Sequence, residues 1–124
     1  MKINTSKGTH LTIDGQNCDR DRLSDEAIIK EALIQFPIDI GMKRLSDPLI
    51  KSINEDEFNS GISGFILIYT SHVSIHTFPK RGYVAIDVFS CTNFDVLKAI
   101  KYFKALFQIQ EIEWNVLSRG LNIR

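Results

Sequence analysis

Residues 61–91, GISGFILIYTSHVSIHTFPKRGYVAIDVFSC, decide the fold. Ile62 to Tyr69 is rich in β-branched and large apolar residues and reads as a well-buried strand. Thr70, Ser71 and His72 interrupt it. Val73, Ile75 and Thr77 then alternate with His72, Ser74 and His76, the period-2 pattern of a strand with one polar face. Pro79-Lys80-Arg81-Gly82 is a turn signal, and Tyr83 to Ser90 is a third strand ending at Cys91. Three strands joined by short turns predict an antiparallel meander. On it sit a serine at a tight turn, two histidines and a cysteine, residue types that can do chemistry together if the register brings them close.

Outward from this stretch, His10 to Asp14 reads as a short strand ended by the turn formers Asp14, Gly15 and Asn17. Ser24 is a candidate N-cap for a helix whose apolar residues Ile29, Leu33 and Phe36 fall at helical spacing, and Pro37 is expected to close it. Ile38 to Leu45 reads as a further strand, and residues 47–60 as an acidic, turn-rich connection. Downstream, Thr92 or Asn93 is expected to cap an amphipathic helix in which Val96, Ile100, Phe103 and Phe107 share one face. Gln110 to Leu117 alternates as a final strand. The expected architecture is a single α+β domain over residues 1–124, a two-layer sandwich of a mainly antiparallel sheet with helices packed on one face.

A chain of 124 residues is long enough to bury well over half of the surface its unfolded form exposes. Fifteen basic residues balance fifteen acidic ones, so charge points neither to nucleic acid nor to an anionic membrane as partner. No apolar run reaches membrane-spanning length, and the N-terminus lacks the plan of a signal peptide, which makes the cytoplasm the expected location. Cys18 and Cys91 are then expected as free thiols. No metal is expected.

The run Ser71-His72-Val73-Ser74-Ile75-His76-Thr77-Phe78-Pro79, with Gly82 to Cys91 after it, resembles the self-processing, pyruvoyl-dependent S-adenosylmethionine decarboxylases of bacteria and archaea. Gly61-Ile62-Ser63-Gly64 and Gly8-Thr9-His10-Leu11…Asp14…Cys18-Asp19 match the same family, so that the likeness covers roughly residues 8–118. The resemblance implies self-cleavage between Thr70 and Ser71. The Ser71 hydroxyl attacks the Thr70 carbonyl, the peptide becomes an ester, and elimination leaves a covalently bound pyruvoyl group where Ser71 was. A serine in a turn is by itself an ordinary turn former. Its context gives it this role.

By the same resemblance His76 takes the α-carbon proton in the elimination, a task suited to an imidazole. Ser63 helps to stabilise the oxyanion of the rearrangement, and Cys91 returns a proton after decarboxylation. Read without the family, these are a hydrogen-bonded strand histidine, a small residue between glycines and a strand-end cysteine. The implied partner is a small-molecule substrate, the decarboxylated product serving as aminopropyl donor for polyamine synthesis. Short members of the family form homodimers whose protomers share active sites, so a homodimer is expected.

The chain also departs from the family pattern. Lys80 stands where a glutamate associated with the nucleoside ribose is usual, and an ammonium can only donate hydrogen bonds. Phe58-Asn59-Ser60-Gly61 is one residue shorter than the family's aromatic-Ser-Pro run and lacks the proline. Thr70 replaces a glutamate before the cleaved serine. Asp14 keeps the acidic character that the family commonly has at its position, and Asp14, Phe58 and Lys80 are the candidate substrate-facing residues. Two alternatives stay open: a pyruvoyl-dependent decarboxylase of arginine or ornithine on the same fold, and a non-catalytic homologue that regulates an active partner.

Overall fold

The computed structural model of the protein describes residues 8–56 and 58–120. Six strands form one antiparallel sheet: β1 (Gly8–Gln16), β2 (Leu49–Ile53), β3 (Gly61–Ile68), β4 (Ser71–Phe78), β5 (Tyr83–Ser90) and β6 (Glu111–Arg119), in the order β2-β3-β4-β5-β1-β6. The expected meander is β3-β4-β5 at its centre. Among the described residues three α-helices, α1 (Arg20–Leu23), α2 (Glu26–Asp39) and α3 (Val96–Phe107), complete the α+β sandwich.

Alternation in the central strands sends Ile66, Val73, Ile75, Ile86, Val88, Leu11 and Ile13 to the helix side, where each is almost wholly buried. Ile29, Leu33 and Phe36 of α2 and Phe103 and Phe107 of α3 close over them, with the Phe36 and Phe103 ring centroids 4.6 Å apart. Each large side chain buried in this way contributes about 1.5–3 kcal/mol relative to exposure. Close approach is built in at Gly61, where a Cβ would stand 1.8 Å from the Thr77 carbonyl oxygen. Among the described residues no helix covers the opposite face of the sheet.

Several expected boundaries are corrected. The first strand is longer than His10 to Asp14. The cap of α2 is Asp25, whose carboxylate accepts from the Ala27 and Ile28 amides, while Ser24 ends α1. Pro37 does not close α2. It lies buried two residues before the end, where the missing amide costs a single ladder bond, and the helix runs on to Asp39. The expected strand from Ile38 to Leu45 is absent. Gly41 turns the chain out of the helix at φ 82°, and the segment meets β3 only as an isolated bridge of Arg44 to Ile68, where the Leu45 amide donates to the Leu67 carbonyl at 2.8 Å. The strand lies instead at Leu49–Ile53, inside the stretch read as a connection, because it forms by pairing with β3 and not by its own alternation. Asp95, not Thr92 or Asn93, caps α3 by accepting from the Lys98 amide at 3.0 Å. The final strand extends to Arg119.

Among the described residues no helix is long and apolar enough to cross a membrane, and no group of three or more potential metal ligands occurs.

Candidate active site

Ser71 opens β4 directly after the loop Tyr69-Thr70, because Ile68 pairs with Ser71 across the β3-β4 hairpin. Thr70 has φ 52°, the left-handed region. That conformation normally falls to glycine or asparagine at the second loop position, and it is strained for a β-branched residue. The bond expected to be cleaved thus follows a residue held in a costly geometry, on the order of 1–3 kcal/mol.

Cys91 converges on the same point from the end of β5. Its amide donates a 3.0 Å hydrogen bond to Ser71 Oγ. The Thr70 hydroxyl lies within donating reach of both the Tyr69 carbonyl, at 2.7 Å, and Cys91 Sγ, at 2.8 Å. Ser71 itself is 6% exposed and Cys91 is exposed. Thr70, Ser71 and Cys91, three of the expected site residues, are therefore brought together by one hairpin and one strand end.

A second pair stands apart. Ser63 on β3 and His76 on β4 are directly opposite each other and share a 2.8 Å hydrogen bond between Ser63 Oγ and His76 Nδ1. Ser71 alternates with Val73, Ile75 and Thr77 on the helix side, whereas His72, Ser74 and His76 face the open side. Five steps along the strand separate Ser71 from His76, about 16 Å at the rise of a β-strand. A single protomer does not bring His76 to Ser71.

Asp14 lies in the same cross-sheet row as Ser63 and His76, through Ala85, which pairs with both His76 and Asp14. Its carboxylate accepts a 2.5 Å hydrogen bond from the Tyr83 hydroxyl. Burial, then the neighbouring Asp14, pushes that phenol up to about 12. Lys80 is exposed and lines a cavity of about 240 Å³ with Glu26, Ser52, Ser60, Gly61 and Pro79. Phe58 is 67% exposed on the preceding turn, where Asp56 accepts from its amide at 2.9 Å. Lys80 and Phe58 both lie toward the Ser63–His76 end of the sheet, since Gly61 begins β3 and Pro79 follows β4. Cys18 is buried, and burial pushes its thiol up to about 11, as suits a structural residue.

The family model for S-adenosylmethionine decarboxylase matches residues 9–120. The chain belongs to the S-adenosylmethionine decarboxylase family. It is 42% identical over 85 residues to the S-adenosylmethionine decarboxylase proenzyme of Thermodesulfovibrio yellowstonii, an overlap of 68% of this chain and 58% of that one. With the proenzyme of the same name from Geobacillus kaustophilus the identity is 31% over 115 residues, covering 92% of this chain and 88% of the relative. The crystal structure of the adenosylmethionine decarboxylase from Aquifex aeolicus superposes with a TM-score of 0.80 at 24% identity, over 94% of this chain and 93% of that one, which establishes the fold.

A row that sequence reasoning left without a role crosses the open face beside Ser71. His72 is stacked between Phe65 and Phe89, with centroids at 5.4 and 5.6 Å, and His10 meets Phe89 edge-on at 6.0 Å. Burial and the nearby His10 lower the His72 pKa, while Asp87 partly opposes them. His10 Nε2 is buried without a hydrogen-bond partner, 3.8 Å from Asp87. Each of these residues occupies an open-face position in its own strand's alternation. Which strand adjoins which is a non-local fact, and so the row was invisible along the chain.

Proposed function

We propose that this chain is the proenzyme of a pyruvoyl-dependent S-adenosylmethionine decarboxylase that cleaves itself between Thr70 and Ser71. One observation carries the reading: Ser71 Oγ, held by the Cys91 amide, directly follows a threonine in left-handed geometry. Attack of that oxygen on the Thr70 carbonyl carbon displaces the Ser71 nitrogen and gives an ester, relieving the strain at Thr70. Loss of the Ser71 α-proton then expels the Thr70 carboxylate. Addition of water and release of ammonia complete the conversion of residue 71. The residues fit the resulting group, because Ser71 is enclosed while the Cys91 thiol beside it is exposed. A pyruvoyl group supplies a carbonyl that captures an amine and withdraws electrons as carbon dioxide leaves. Cys91 is the proton donor to the carbon left behind.

His76 and Ser63 serve the same chemistry in a homodimer that shares its sites. The open face supports this, with Leu49, Phe65, Leu67 and Leu117 all more than a third exposed on it. Ser74 lies midway between the His72 row and the His76 row. A second copy turned about a two-fold axis near Ser74 would lay its Ser63–His76 pair over the Ser71–Cys91 end of the first. In this arrangement His76 of each protomer serves its partner's Ser71. The dimer works in the cytoplasm, where both thiols stay reduced.

Intact mass of the purified protein tests cleavage, with residues 1–70 and 71–124 as the expected pieces, the second lacking a free amine. Ser71→Ala should remain one chain, having no hydroxyl to attack. Carbon dioxide release from S-adenosylmethionine, arginine and ornithine tests the substrate. A full-length chain that never cleaves would overturn the enzymatic reading, and release only from a basic amino acid would overturn the substrate.

A further inference from the structure

Beside the scissile bond opens a cavity of about 500 Å³, bounded by Thr70, Ser71, His10, His72, Phe89 and Arg119, with apolar wall from Leu67 and Ile68. Arg119 reaches it from the end of β6 with its guanidinium carbon 5.3 Å from the centre of the Phe89 ring. Stacking of this kind fixes the plane of the guanidinium and leaves its in-plane N–H fork for an acceptor. Among the described residues, the ion pairs are His10–Asp87 and Arg44–Asp47, and no side-chain hydrogen bond uses the Arg119 guanidinium. A guanidinium stays charged at any working pH. The neighbouring His72 is held toward its neutral form by burial. The cavity is therefore an apolar space with a permanent cation that has no carboxylate partner among the described residues.

That environment suits an anion, and the proposed reaction brings one. A substrate captured through its α-amine at residue 71 carries its α-carboxylate on the same carbon, so the carboxylate must lie in the space around Ser71. We propose that Arg119 recognises the α-carboxylate of the substrate at the Ser71 site and is thereby a specificity-determining residue that separates the amino acid from its decarboxylated product. The inference rests on the pyruvoyl reading for the position of the substrate. Departure of carbon dioxide removes the anion that Arg119 holds, which weakens the grip on the product and favours its release.

The test uses processed protein whose pyruvoyl group has been converted to alanyl by cyanoborohydride and ammonia, so that binding is not covalent. Calorimetry then measures S-adenosylmethionine and its decarboxylated amine against wild type, Arg119→Gln and Arg119→Lys. Arg119→Gln should weaken the acid about tenfold or more, the loss of a charge-assisted hydrogen bond, and leave the amine within about twofold. Arg119→Lys should retain part of the preference, as a point charge without the fork. Equal weakening of both ligands, no weakening of either, or a wild type that does not bind the acid would overturn the proposal. Mass of the starting protein reports cleavage separately. In a chain that fails to cleave, which would sink the pyruvoyl reading, the same two ligands on the uncleaved protein still decide whether Arg119 reads the carboxylate.

Discussion

Ser71 and His76 stand on one strand, five residues apart and on opposite faces, with Ser71 bonded to Cys91 and His76 to Ser63. The candidate site residues of one chain are thus divided into two pairs toward opposite ends of β4. A shared site predicts complementation. Ser71→Ala and His76→Ala should each fail to self-process alone. Co-expressed in equal amounts, they form mixed dimers in which one of the two sites has both residues, giving about a quarter of wild-type activity. Mass spectrometry should show cleavage of the His76→Ala chain alone. If neither chain is cleaved in the mixture, the sharing of sites is wrong.

The thiols should differ sharply in reactivity. Cys91 is exposed, whereas Cys18 is buried and its thiol is pushed up to about 11 by that burial. Titration of the native protein with a chromogenic disulfide should consume Cys91 quickly and reach Cys18 only on denaturation. Because the Cys91 amide, not its side chain, holds Ser71 Oγ, Cys91→Ala should depress decarboxylation far more than cleavage. Equal loss of both would remove its role as proton donor.

Stability should fall with acid because of His72. Burial between Phe65 and Phe89 lowers its pKa below the ordinary 6.5, with His10 acting in the same direction. As pH drops through about 6.5 the unfolded chain gains a proton there that the folded chain resists, so the stabilisation is present above that value and is lost as pH falls through the folded pKa. His72→Phe keeps the aromatic stack and removes the titration. Thermal melts from pH 7.5 to 5 should be flatter for His72→Phe than for wild type, and parallel curves would refute the assignment.

Lys80 provides a specificity test that is separate from the carboxylate. It lines the cavity beside Gly61 and Pro79, near the Ser63–His76 end, and offers donors only. Lys80→Glu should supply acceptors for a pair of ribose hydroxyls and lower KM for S-adenosylmethionine, by about tenfold for one charge-assisted bond gained. Cleavage should be unaffected. An unchanged or raised KM would place the nucleoside elsewhere.

Local pattern alone was enough for the meander and the amphipathic α3, because alternation, helical spacing and turn residues act over a few positions; Ser63, Thr70, Ser71, His76 and Cys91 stood out only through the resemblance to the family, since read alone they are ordinary turn and strand residues. Local pattern failed where neighbours along the chain were not the deciding ones. Leu49–Ile53 is a strand because β3 lends it hydrogen-bond partners, and Pro37 stays helical because its ring is buried near the helix end, where one lost bond is tolerated. Sequence could number Ser71 and His76 as five residues apart, but their separation in space follows from an extended backbone, and the convergence of Thr70, Ser71 and Cys91 from a hairpin and a strand end. The His10–Phe89–His72 row and the approach of Arg119 to Phe89 depend on β1 lying between β5 and β6. Strand order is fixed by burial of the whole sheet against its helices, a property of the assembled core that no single segment contains.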